Sequence, residues 1–140
     1  IVTNTNDIGM GSFRNVVDCA LNGSTITFAQ GVMNQTINLT SGVIDIDKDL
    51  TIAGLGMTTM LVSGNNSSVI FHLLPEYDLM LKDIALKNAN SPSNGGAIFA
   101  EGNLTLQNVL MQNNFENGFP KSMTITNTAI VEINGVVDIK

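Results

Sequence analysis

The chain has 140 residues, enough for one domain with its own core, and 44% of them are hydrophobic, which excludes a disordered tail. Only 13% are charged and the net charge is −6, so an acidic surface with six scattered basic residues excludes a nucleic-acid backbone or an anionic membrane as the partner. Polarity comes instead from 18 Asn and 13 Thr, which together with 13 Gly suit short strands joined by tight turns.

No apolar run is long enough to span a bilayer as a helix, so no membrane insertion is expected. The chain opens at Ile1 with no signal peptide ahead of it, and it is read as processed or as a fragment of a longer surface protein. Gly11 and Ser12 precede Phe13, Val16, Val17, Ala20 and Leu21. That spacing predicts an amphipathic helix over 12–21 with Ser12 as its N-cap, ended by Asn22-Gly23. Arg14 reads as a solvated residue on this helix. Cys19 reads as a half-buried one; alone, it excludes a disulfide framework or a cysteine metal site.

Strand patterns follow, beginning with Thr25–Phe28 and Thr36–Thr40. In Val43-Ile44-Asp45-Ile46-Asp47 the period is two, which places Asp45 and Asp47 on one outer face about 7 Å apart. With Asp49 nearby they form the densest acidic patch of the sequence, softened by Lys48. A repeat then becomes plain. Leu79-Met80-Leu81-Lys82-Asp83-Ile84-Ala85-Leu86-Lys87-Asn88 aligns with Leu104-Thr105-Leu106-Gln107-Asn108-Val109-Leu110-Met111-Gln112-Asn113 at a constant offset of 25. Looser copies begin at Leu50 and Met123, and a further strand type recurs at Val43–Asp47, Val69–Leu73 and Ala97–Glu101.

Units recurring every ~19–29 residues, each holding about three short strands, cannot bury their apolar faces singly. Stacked, they close a continuous core. The expected fold is therefore all-β, a single-stranded parallel β-helix of about five coils. The helix over 12–21 covers its first end, which would otherwise expose unpaired strand groups. The organisation is one domain over 1–140, with an N-terminal segment and cap helix over 1–23 and coils over 24–140. No cap is visible at the C-terminal end, where Val136–Lys140 is still strand-like; the expectation is that either the native protein continues or this end is covered by a partner or by another copy stacked onto it.

The opening Val2-Thr3-Asn4-Thr5-Asn6-Asp7-x-Gly9-x-Gly11-Ser12-Phe13-Arg14, the strand Ser24–Ala29, the stretch Asp49-Leu50-Thr51-Ile52-Ala53-Gly54 and the unit Asn94-Gly95-Gly96-Ala97-Ile98 before Gly102-x-Leu104-Thr105-Leu106 carry a resemblance. The chain resembles, over nearly its whole length, the pectin-lyase-like right-handed parallel β-helix domains of bacterial surface and secreted proteins. The Gly-Gly-Ala-Ile unit is also similar to repeats of polymorphic outer-membrane adhesins, with Leu110-Met111-Gln112-Asn113 where those read F-x-x-N. The resemblance implies a right-handed coil and an extracellular or cell-surface location, with an adhesin-like role.

The same fold hosts polysaccharide lyases and hydrolases, so the chemistry needs weighing residue by residue. A lyase needs an Arg or Lys base and acids holding Ca²⁺; the one Arg lies on the cap helix, and Lys82 and Lys87 face Gln107 and Gln112 on the next copy. A glycosidase needs paired carboxyl groups, and Asp45 with Asp47 is the nearest approach. No catalytic residue is assigned and no cofactor is expected. Asp45, Asp47, Asp49 and Tyr77, the last in the turn Leu74–Asp78, are the candidate binding residues, with Asp45 and Asp47 as a weak calcium pair. His72 is the single imidazole, and its direction stays open. Asn88 and Asn113 end equivalent strands and are expected to stack as a structural ladder.

Three readings stand. The first is a non-catalytic extracellular module, a rigid spacer or adhesin presenting a strand face to carbohydrate or protein. The second is a carbohydrate-active enzyme or a remnant of one. The third is a structural stacking element of a multidomain surface protein.

Overall fold

The computed structural model describes residues 1–126 and 129–139. After helix α1 (Phe13–Cys19), the first coil holds β1 (Ser24–Ile26), β2 (Thr36–Asn38) and β3 (Ile44–Ile46), and the second β4 (Leu50–Ala53), β5 (Leu61–Ser63) and β6 (Phe71–Leu73). The third holds β7 (Asp78–Lys87), β8 (Asn90–Ser91) and β9 (Ile98–Ala100); the fourth β10 (Asn103–Gln112), β11 (Phe115–Glu116), β12 (Phe119–Pro120) and β13 (Met123–Ile125). β14 (Val131–Ile139) opens a fifth, so the parallel solenoid expected from the repeat is present with about four turns completed. Asn127, which ends the last short copy, and Lys140 lie outside the described residues.

Equivalent strands of successive coils pair in parallel. The first face stacks β1, β4, β7, β10 and β14 in that order. The second continues from β2 and β5 into the later halves of β7, β10 and β14. The third stacks β3, β6, β9 and β13. Register is set by burial: Leu50, Leu79 and Leu104 align, as do Ile52, Leu81 and Leu106, and all six are buried in two adjacent columns of the core. Between them the outward row runs Thr25, Thr51, Met80, Thr105 and Glu132.

Two of the three short strands expected in each middle repeat are fused. β7 and β10 each turn a corner through one left-handed residue, Asp83 (φ 55°) and Asn108 (φ 52°). Asx residues tolerate that conformation, and Asn108 Nδ2 donates to Asp83 Oδ1 at 3.0 Å, tying the two corners together. The next corner is left-handed at Asn88 (φ 53°) and Asn113 (φ 55°), the two positions expected to ladder. The amide buried inside this corner, however, is the following residue, Asn114. Its Oδ1 accepts from the Ala89 N–H at 3.0 Å and its Nδ2 donates to the Leu86 carbonyl at 3.1 Å.

The N-terminal helix is shorter than the 12–21 expected. Ser12 caps it by accepting from the Asn15 N–H at 3.3 Å, but Ala20 already has extended backbone (φ −66°, ψ 144°), which leaves Leu21 exposed. Cys19 is exposed rather than half-buried. Phe13 and Val17 enter the core, and the Phe13 ring lies 5.2 Å from Phe28 and 5.9 Å, edge-on, from Phe71.

Arg14 is not a solvated helix residue. Its Nε and Nη2 donate to Asp7 Oδ1 at 3.0 and 2.9 Å, and Nη1 and Nη2 donate to the Val43 and Gly42 carbonyls at 2.8 and 2.7 Å. Asp7 Oδ2 accepts from the Thr40 and Ser41 amides at 3.0 and 2.7 Å. Burial pushes the Asp7 carboxyl up, but the donors of Ser41 and Arg14, with the Arg14 charge, outweigh it and hold it below the usual carboxylate range. The Asp and Arg of the opening motif thus clamp the turn between β2 and β3. Gly11 (φ 78°) lets the chain pass Thr3, whose side chain a Cβ would strike.

The two ends of the solenoid differ. At the first coil the inward residues Ile26, Ile37 and Ile44 are at most 2% exposed, whereas at the last rung Ile125, Ile133 and Ile139 are 41%, 57% and 50% exposed.

Candidate functional site

A row of polar side chains joined by short contacts lies on the outer surface of the third face. Inward Ile44 and Ile46 alternate with outward Asp45, and inward Phe71 and Leu73 alternate with His72. Register then lines up Asp45, His72 and Phe99 on adjacent rungs. The direction of His72, open in the sequence, is outward. Its Nδ1 lies 3.2 Å from Asp45 Oδ1, its Nε2 2.7 Å from Glu101 Oε1, and its ring stacks on Phe99 at 4.8 Å and 9°. Only the doubly protonated ring donates to both carboxylates at once; a neutral ring donates to one.

Beside this row a cleft of about 250 Å³ opens between the face and the corner after β8. Val69, His72, Phe99, Pro92, Ser68 and Asn94 are among its walls. The corner is tied by hydrogen bonds. Ser91 Oγ donates to the carbonyls of Ser93 and Asn94 at 2.9 and 3.0 Å, and the Gly95 N–H donates to Glu116 Oε1 and Thr124 Oγ1 at 2.9 and 3.0 Å. The Lys121 ammonium lowers the Glu116 carboxyl, against burial, and the donors of Thr124 and Gly95 lower it further. Gly96 (φ 72°) packs so closely on the Lys121 carbonyl that no side chain fits. Ser68 Oγ is buried without a hydrogen-bond partner, an unusual state for a hydroxyl.

The four candidate binding residues are not brought together. Asp45 and Asp47 share the outer face as expected, each with its side chain 61% exposed. Asp45 is taken by His72, and Asp47 lies 3.3 Å from the Lys48 ammonium. Asp49 sits at the corner leading to the first face, where its Oδ1 accepts from the Asp78 N–H at 2.9 Å and its own N–H donates to Asn22 Oδ1 at 2.8 Å. The acidic patch is therefore split by the turn of the chain. Among the described residues no group of three His, Cys, Asp or Glu side chains is placed to hold a metal ion. Tyr77 is half-buried against the core rather than free to stack on a ligand.

A second groove, of about 390 Å³, runs along the first face between the Asp49, Asp78 and Asn103 corner row and the outward Thr51, Met80, Thr105 and Glu132. No helix among the described residues is long and apolar enough to cross a membrane. Comparison with protein families, with curated proteins and with solved structures gives no match for this chain.

Proposed function

We infer that the chain is a non-catalytic, carbohydrate-binding β-helix module of the pectin-lyase-like type, working as an adhesive surface outside the cell. The cleft beside His72 and Phe99 carries this reading. Its walls mix hydroxyl, amide and apolar groups, the combination that recognises a ring bearing hydroxyls on one side and C–H groups on the other. Its volume, about 250 Å³, suits one or two sugar rings rather than the ~300–1,000 Å³ of a larger ligand site. The net charge of −6 disfavours anionic glycans and points to neutral or amino sugars. That neither Asp45 nor Glu101 is among the residues lining the cleft supports binding over hydrolysis, because a glycosidase needs a pair of carboxyl groups facing the sugar.

The test is a glycan array with the purified chain, with and without calcium, beside a depolymerisation assay on the same glycans. Binding to one glycan class, lost in Phe99→Ala and unaffected by calcium, is the expected outcome. Cleavage of the glycan would replace this reading with the enzymatic one. A blank array would leave a spacer or a protein-binding surface, and the carbohydrate reading would be withdrawn.

A further inference from the structure

We propose that Asn117 is a site of spontaneous covalent modification, where the side-chain amide is lost as ammonia and the residue becomes aspartate or isoaspartate. An asparagine followed by glycine is chemically labile, because a residue without a side chain leaves its backbone nitrogen open to approach the neighbouring amide. The chain holds four such pairs: Asn22-Gly23, Asn94-Gly95, Asn117-Gly118 and Asn134-Gly135. In the step, the glycine nitrogen gives its proton to solvent base and attacks the asparagine Cγ. The new C–N bond closes a five-membered imide as the Cγ–Nδ2 bond breaks, and Nδ2 takes up a proton and leaves as ammonia. Water then opens the ring at either carbonyl. One opening gives aspartate; the other gives isoaspartate, whose chain runs on through Cγ. Closure needs a glycine nitrogen that is free and a backbone between the two residues that can rotate.

The fold separates the four pairs. Asn22 is exposed but engaged: its Oδ1 accepts from the Asp49 N–H at 2.8 Å, its Nδ2 donates to Asp49 Oδ2 at 3.4 Å, and the Gly23 N–H donates to the Asp49 carbonyl at 2.7 Å. After Asn94 the nitrogen is held. Gly95 is buried against Val69, and its N–H donates to Glu116 Oε1 and Thr124 Oγ1 at 2.9 and 3.0 Å. Asn134 lies inside β14, its backbone fixed by parallel pairing with Gln107 of β10. Asn117 is different. With Gly118 it makes the two-residue turn between β11 and β12, both residues in the left-handed region (φ 51° and 77°) as a type I′ turn requires. Both are exposed. The Asn117 N–H donates to the Ser91 carbonyl at 2.8 Å, but neither its side-chain amide nor the Gly118 N–H has a partner among the described residues. A Cβ built on Gly118 would meet no atom within 4 Å, so the turn has room to open locally. The product carries one more negative charge, next in sequence to the Glu116 that pairs with Lys121. As isoaspartate it adds one backbone carbon to a turn that supplies no residue to the core.

The test is a timed incubation of the 140-residue chain at mildly alkaline pH, folded and in parallel in concentrated urea, followed by peptide mapping with tandem mass spectrometry. In the folded chain the gain of one mass unit should appear first at Asn117, with isoaspartate detected by enzymatic methyl transfer to the new carboxyl. Asn22, Asn94 and Asn134 should lag it by about tenfold or more, since each converts only when its ties open. In urea the four pairs should convert at similar rates. Conversion of any of the other three as fast as Asn117 in the folded chain, or an Asn117 that stays intact there while the urea-treated chain converts, would overturn the proposal. None of these outcomes depends on the glycan reading.

Discussion

The guanidinium of Arg14 and the carboxylate of Asp7 meet at 2.9 Å with their side chains only 15% and 5% exposed, and together they make every polar tie between the N-terminal loop and the turn over 40–43. Removing either partner strands the other in a site largely closed to water. Arg14→Ala or Asp7→Ala should cost about 3–5 kcal/mol, read as a fall in urea midpoint with an unchanged slope.

The same pair predicts a pH dependence. Because the folded Asp7 carboxyl lies below its ordinary value of 3.8, its contribution is complete above that unfolded value and is lost as pH falls through the lower folded one. Asp7→Asn should remove this component. Its stability curve below the usual carboxylate range should be flatter than that of the parent, in urea titrations at stepped pH.

Leu106 is fully buried while its neighbour Thr105 points outward. Leu106→Asp, like Leu81→Asp on the rung above, places an unpaired charge in the shared core and should abolish the cooperative melt. Thr105→Asp should shift stability by no more than about 0.5 kcal/mol. Equal effects at the two positions would sink the register.

Asn114 satisfies the Ala89 N–H and the Leu86 carbonyl inside the corner. Asn114→Ala should cost about 2–3 kcal/mol by leaving both unpaired, with Asn113→Ala, at an exposed position, well below it. Thermal melts of the two variants side by side decide the order.

Asp45 and Asp47 hold outward positions, and among the described residues no group of three His, Cys, Asp or Glu side chains could hold a metal ion. Asp45→Asn with Asp47→Asn should leave the melting temperature within a few degrees of the parent. Chelation should not move it either. A large drop on chelation, abolished by the double change, would reveal a calcium site.

The solenoid was legible because β7 and β10 repeat at one constant offset of 25 with their inward apolar positions in phase. The cap was legible from Ser12 and the spacing after it. The polar cluster was not, for a reason of arithmetic. His72 reaches Asp45, its register partner, across 27 residues, but Glu101 across 29, two residues past its register partner Phe99, so the strand period alone does not pair them. The split of the acidic patch was hidden likewise, since Asp45, Asp47 and Asp49 are neighbours in sequence and only the corner carries Asp49 to another face. Asn114 was missed because Asn113 is the residue in phase with Asn88, while the side chain that enters the corner belongs to the next position.

The single-residue corners at Asp83 and Asn108 divide the chain into regions with very different freedom to change length. One residue added there would reverse every side chain of the following strand, turning Ile84 and Leu86, or Val109 and Met111, out of the core. A residue added at Asn117-Gly118, in the exposed turn between β11 and β12, disturbs no rung. Room for insertion thus lies in such exposed turns and not at the fused corners of β7 and β10, so the outline of the molecule can change without renegotiating its core.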